Sequence, residues 1–223
     1  YEMAIDWLLL HQGVAPNVNF ARAIGCALDW DATQLSFRPR VDPWQESSVP
    51  GVFLAGDGAG IVGAVASAEQ GRLAALQVAQ QLGAIRDSVR DLAAAPSRRR
   101  LRSAVRGREF LDRYFQPAVQ NRRPTGDTIV CRCEEITANQ LNDAVAKGAL
   151  GPNQAKAYLR CGMGPCQGRY CGLTVSEMIA AATAKSPQEI GYFRLRSPIK
   201  PVTLGEIASL PGTEAARRVV EPA

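Results

Sequence analysis

Five of the six cysteines lie within residues 127–223. Cys131 and Cys133 form a C-x-C pair, and Cys161, Cys166 and Cys171 follow in the run RCGMGPCQGRYC. Thiolates grouped this tightly suit zinc or an iron–sulfur centre, because both take anionic sulfur ligands from short loops. A disulfide framework would spread its cysteines along the chain. Glycines at 162, 164, 168 and 172 interleave the thiols. Their unhindered backbone lets N–H groups turn toward sulfur, which favours an iron–sulfur cluster over a structural zinc knuckle.

A second constellation is Val-Pro-Gly-Val-Phe-Leu-Ala-Gly-Asp-Gly-Ala-Gly at 49–60. It reads as a turn at Pro50-Gly51, a short apolar strand over 52–55, a break at Gly56-Asp57-Gly58, and a helix from Ala64 to Leu82 stopped by Gly83. An acid at the end of a strand can accept hydrogen bonds from ligand hydroxyls. The helix N-terminus at Gly63-Ala64 offers free N–H groups and a positive dipole end. Residues 58–63 also spell G-x-G-x-x-G, a weak signal here, since no second strand with a suitably spaced acid follows. The plainer reading is a tight turn with a capping Asp57.

Elements that must position these groups can be read on either side. Residues 5–10 form an apolar run expected to be a buried strand, and 18–24 a short helix closed by Gly25. Residues 27–41 suggest strands around a turn at 31–33. Thr137 to Gln140 spells a capping box, opening a helix to Lys147 with Gly148 as its stop. Pro152 suits the first turn of a helix ending near Arg160. A further helix is expected over 173–182. Three segments result: 1–85, read as α/β; 86–126, an Arg-rich connector broken at Ala95-Pro96-Ser97; and 127–223, small and mainly helical.

Composition narrows the rest. The 223 residues are 46% hydrophobic and 21% charged, a globular balance. No apolar run reaches the roughly 18 residues of a membrane span. The single histidine, His11, excludes a multi-histidine metal site and is expected to be partly buried. The net charge of +5 is uneven: residues 86–123 hold eleven Arg against four acids, so the remainder sits near −2. No nucleic-acid motif accompanies this basic run, which reads as a solvated connector touching a partner subunit. Cys26 and the tryptophans Trp7, Trp30 and Trp44 read as core or subunit-contact residues, Glu134 and Glu135 as solvated or interface charges, and Tyr170 as a shield between thiols and water. The chain opens inside an apolar run without Met, and reads as the C-terminal part of something longer.

Residues 1–85 resemble the C-terminal piece of the FAD domain in two-dinucleotide-binding-domain flavoproteins of the glutathione-reductase-like group. The likeness rests on Gly13-Val14-Ala15-Pro16-Asn17, then Val41-Asp42, then 48–57. It implies that Asp57, between Gly56 and Gly58, binds the ribityl chain of FAD, and that Gly63 and Ala64 point a helix at the flavin ring. The fingerprints for the ADP halves of FAD and of NAD(P) would lie in the N-terminal part outside this sequence. Residues 127–223 resemble bacterioferritin-associated ferredoxins, which implies a [2Fe–2S] cluster on Cys131, Cys133, Cys166 and Cys171, with Cys161 a buried neighbour. Those ferredoxins have C-x-x-C at the second pair, and this chain has four intervening residues. The longer spacing and the tail RLRSPIKPVTLGEIASL are similar to the form fused to flavoprotein subunits of opine oxidases and hydrogen cyanide synthases.

The expected fold class is therefore an α/β remnant of such a flavoprotein followed by a small helical [2Fe–2S] domain. The resemblance implies an electron-transfer subunit of a flavin-dependent amino-acid or opine dehydrogenase, oxidising C–N bonds. Its expected partners are a flavin-containing catalytic subunit, a small ferredoxin-like subunit and a respiratory electron acceptor. The alternatives are an NAD(P)H-dependent reductase and a non-catalytic, zinc-stabilised interaction module. The expected location is cytoplasmic, with association to the inner membrane face as a variant.

Overall fold

The computed structural model describes residues 3–9, 11 and 13–210. Helix α1 (Asn19–Ala23) leads into a hairpin of β1 (Leu28–Asp31) and β2 (Ser36–Pro39), with Trp30 opposite Phe37. The Asp31 carboxylate accepts the N–H groups of Thr33 at 2.8 Å and Gln34 at 3.0 Å, which closes the expected turn. Residues 52–55 are nearer to a single ladder step than a strand. Phe53 bridges Glu46, and the Leu54 N–H donates to the Gln45 carbonyl at 2.9 Å.

The apolar run at 5–10 corrects the sequence reading. Ile5, Trp7, Leu8 and Leu9 are exposed and belong to no strand, while Leu10 lies outside the described residues. An apolar run becomes a buried strand only where neighbours pair its backbone. Among the described residues the two sheets are two-stranded and complete in themselves. His11 is likewise exposed rather than partly buried, with its Nδ1 accepting the Gly13 N–H at 3.2 Å.

Helix α2 (Ala64–Gln81) packs along α3 (Asp87–Ala104). The break expected at Ala95-Pro96-Ser97 does not occur, since Pro96 lies inside α3. An internal proline costs a helix about 3 kcal/mol, and side-chain anchoring to α2 and to the loop before it offsets this. Arg90 donates to Gln77 at 2.9 Å, Arg100 meets Glu69 at 3.0 Å, and the guanidinium carbons of Arg90 and Arg98 lie 4.3 and 4.2 Å from the Trp44 ring centre. The basic run is thus only partly solvated. Arg99, Arg102 and Arg106 make no ion pair among the described residues. Glu69 is buried and also pairs with Arg72. Replacing Arg100 with Ala removes one of the two cations paired with this buried carboxylate and is expected to cost about 1 kcal/mol. An unchanged urea midpoint would contradict that.

Two short helices follow, α4 (Arg108–Tyr114) and α5 (Val119–Arg122). The cysteine-bearing half begins with β3 (Ile129–Cys131) and β4 (Ile136–Thr137), paired antiparallel. The capping box of Thr137 and Gln140 opens α6 (Ala138–Ala146). Pro152 starts α7 (Pro152–Leu159), and α8 (Gly172–Thr183) completes a three-helix packing with ends close to those expected. Among the described residues the last helices are α9 (Pro187–Ile190) and α10 (Leu204–Ala208). Among the described residues no helix is long and apolar enough to cross a membrane.

Leu141, Val145, Ala155, Val175, Ile179 and Phe193 form the main core, and Val18 and Phe37 join it from the first segment. The Phe37 ring lies 5.1 Å from Trp30 and 5.5 Å from Tyr192. The hairpin is therefore docked on the cysteine-bearing half. The Asn19 amide, which donates to the Gln167 carbonyl at 3.1 Å, pins α1 to the cysteine loop.

Candidate functional site

The thiols come together from three places. Cys131 ends β3, Cys133 sits in the turn that follows, Cys161 and Cys166 lie in the loop after α7, and Cys171 precedes the first turn of α8. All are free; Cys131, Cys161 and Cys171 are buried, Cys166 half-buried and Cys133 exposed. Cys133 lies beside Cys166, and Cys171 beside Cys131. Cys161 is buried near Cys131, outside both pairs. No three of the His, Cys, Asp and Glu side chains among the described residues are set around one point to hold a single metal ion.

The backbone treats these sulfurs unequally. Burial opposes charge on Cys166, but the N–H groups of Tyr170, Gly168 and Arg169, with the Cys133 thiol, outweigh it and hold its pKa below the usual thiol value. The Cys166 N–H favours a thiolate at Cys133, yet the neighbouring Cys166 sulfur and burial together raise that thiol. Burial pushes Cys161 up to about 12, with Cys131 adding to it, and also raises Cys171. The backbone around Cys166 thus favours a thiolate there more than at the other cysteines.

Glycine has a second duty here beyond freeing those amides. Gly162 (φ +84°) and Gly168 (φ +78°) leave room for the Phe193 ring, which lies 2.7 Å from where a Cβ would stand on either. A Cβ on Gly164 would fall 2.2 Å from the Cys133 Cβ. Phe193 and Tyr192, whose hydroxyl donates to the Gly168 carbonyl at 3.2 Å, were not legible as site residues. They sit in a segment without helix or ladder, and only the glycine spacing hinted that something must fill the loop.

At the other motif, Gly56 to Ala59 form a 3-10 turn with Asp57 exposed on it. The Gly56 N–H donates to Gln70 Oε1 at 2.8 Å. Gln34 grips the loop beyond, donating to the Ile61 carbonyl at 2.7 Å and accepting its N–H at 3.0 Å. Gly63 precedes α2 with no side-chain cap and no acid in the first turn, so the helix N-terminus stays open. Asp57 caps neither the turn nor α2, which disfavours the purely structural reading. Nothing lies within 4 Å of a Cβ on Gly58.

A cleft of about 700 Å³ runs between the neighbourhoods of the two motifs, with Asp57 and the cysteines outside its lining. Its lining includes Val14 from the loop before α1, Ile61 from the loop after Asp57, and Tyr170 from between Cys166 and Cys171. Tyr170, expected to shield the thiols, is 82% exposed and borders this space instead. The buried ion pair of Arg122 and Glu177 lines it too. Burial raises the Glu177 pKa despite Arg122 and Arg123. A carboxyl that holds its proton to higher pH when folded stabilises most at acid pH, and that contribution is lost as pH climbs through the raised value. Glu177→Gln is expected to flatten that fall above the ordinary glutamate value of 4.5. Melting curves of both proteins across pH check this, and parallel profiles would contradict it.

The chain is similar to several known proteins. Residues 125–210 match the family model of the sarcosine oxidase A3 domain. In fold the chain is similar to part of an L-proline dehydrogenase from P. horikoshii, with a TM-score of 0.68 and 20% identity, covering 86% of this chain and 37% of that one. In sequence the chain is similar to an opine oxidase subunit of Rhizobium meliloti, 46% identical over 96% of this chain and 41% of the relative. It is also similar to the hydrogen cyanide synthase subunit HcnB of Pseudomonas protegens, 33% identical over 90% of this chain and 42% of the relative. The chain spans about two fifths of the length of these curated relatives.

Proposed function

We propose that this chain is part of one subunit of a flavin-dependent oxidoreductase that oxidises C–N bonds of amino acids or opines, and that it relays electrons between FAD and a [2Fe–2S] cluster. The cleft supports this reading, because its wall runs from Ile61, just past the turn that carries Asp57, to Arg169 and Tyr170, between Cys166 and Cys171. FAD would supply two-electron acceptance and the cluster one-electron transfer. Asp57 would accept hydrogen bonds from ribityl hydroxyls, with Gly56 and Gly58 allowing close approach. The open N-terminus of α2 at Gly63-Ala64 would favour negative charge beside it.

Cys131, Cys133, Cys166 and Cys171 would hold the cluster. A dinuclear centre takes two thiolates on each iron, and the four free thiols gathered here would supply them. The amides at 168–170 would offset thiolate charge. A flavin-containing catalytic partner subunit accords with relatives named as subunits of opine oxidase and hydrogen cyanide synthase. NAD(P), if used, would bind outside these residues, and no catalytic acid or base is assigned within them. In the three-part organisation we favour, 1–85 carries the FAD piece, 86–126 connects, and 127–223 carries the cluster.

Asp57 is exposed and caps no helix, so Asp57→Ala in the full polypeptide with its partner subunit is expected to leave the melting temperature of the flavin-free protein unchanged. It is expected to weaken FAD retention at least tenfold, on the order of 1.4 kcal/mol for the hydrogen bonds lost. Flavin content equal to the unaltered protein after gel filtration would overturn the assignment.

A further inference from the structure

On the face of α7, Asn153, Lys156 and Ala157 stand at i, i+3 and i+4 and line a depression of about 470 Å³. Three other elements complete it: Arg22 from the last turn of α1, Met163 from the cysteine loop, and Arg194 and Arg196 from the segment after Phe193. Leu195 is buried between those two exposed arginines, so the alternation sends both to the same side. The Arg194 N–H donates to Asn153 Oδ1 at 2.7 Å, which ties this segment to α7. Lys156 also lies 5.6 Å from the Phe193 ring centre.

Four cations therefore meet around one hollow whose lining holds no acid. None of them forms an ion pair among the described residues. Elsewhere arginines meet acids: Arg72 and Arg100 share Glu69, Arg108 meets Asp112, and Arg122 meets Glu177. Like charges held together repel, and burial with the neighbouring Arg196 depresses the Lys156 pKa.

We infer that this hollow is a binding site for a small polyanion bearing phosphate or carboxylate groups. Three guanidinium forks, from α1 and from the segment after Phe193, match oxyanions in charge and in hydrogen-bond chemistry. The hollow is large enough for several oxyanion groups on one molecule, and Asn153 adds a neutral polar edge. The site is independent of the flavin and cluster assignments, since none of its residues belongs to either.

Calorimetric titration of the full polypeptide with its partner, at low ionic strength, tests it with inorganic pyrophosphate and with citrate. The expected result is saturable binding of at least one probe, and the tighter of the two names the source of the oxyanions. Arg194→Gln combined with Arg196→Gln is expected to weaken that binding at least tenfold, and Arg22→Gln alone to weaken it severalfold. Arg102→Gln, an exposed cation on α3, is expected to change nothing. Absence of saturable binding, or equal weakening by Arg102→Gln, would overturn the site. An effect reproduced by sodium chloride at matched ionic strength would overturn it too.

Discussion

Phe193→Ala is expected to destabilise the chain by about 3–5 kcal/mol and to loosen the cysteine loop in the same step. The ring is fully buried and sits on the backbone of Gly162 and Gly168, where no side chain of either residue competes for the space. Its removal leaves a hollow directly beneath the loop that carries Cys161 and Cys166. The surrounding core of Val175, Ile179 and Tyr192 cannot close over it without moving α8. Urea denaturation gives the first half of the prediction, and the rate at which a thiol reagent reaches buried Cys161 and Cys171 gives the second. A loss below about 1 kcal/mol with unchanged thiol rates would show that the loop does not rest on this ring.

Gly164→Ala is the second substitution with a large expected effect. The added methyl would stand 2.2 Å from the Cys133 Cβ, and backbone holds both. Relief requires Cys133 to leave Cys166, at a cost of about 1–3 kcal/mol in overpacking. Under the proposed function this also separates two cluster ligands. Iron per chain is expected to fall from about two toward zero. Gly58→Ala, whose Cβ meets nothing within 4 Å, serves as the control and is expected to keep its iron. Full iron content in Gly164→Ala would contradict the proposed ligand set.

What the sequence disclosed follows from how local each signal is. The capping box at Thr137, the proline opening α7 and the turn at Asp31 depend on residues a few positions apart, and all three appear as read. The run at 5–10 failed because a strand needs pairing partners, and its own pattern cannot supply them. Pro96 misled for a related reason: the anchors of α3 are Glu69, Gln77 and Trp44, distant in sequence. The glycines among the cysteines were legible as a special loop, but not the aromatic ring they receive. Gln34, which grips the loop at Ile61, carried no signal, since a lone glutamine in a turn looks like any solvated side chain.

The most direct test is a visible spectrum and EPR of the anaerobically purified full polypeptide with its partner subunit, before and after dithionite. The expected result is broad visible absorption, about two irons per chain and a rhombic signal on reduction that Cys131→Ser or Cys171→Ser abolishes. A colourless, EPR-silent protein holding about one zinc would contradict the proposed cluster, and leave residues 127–223 as a structural metal module.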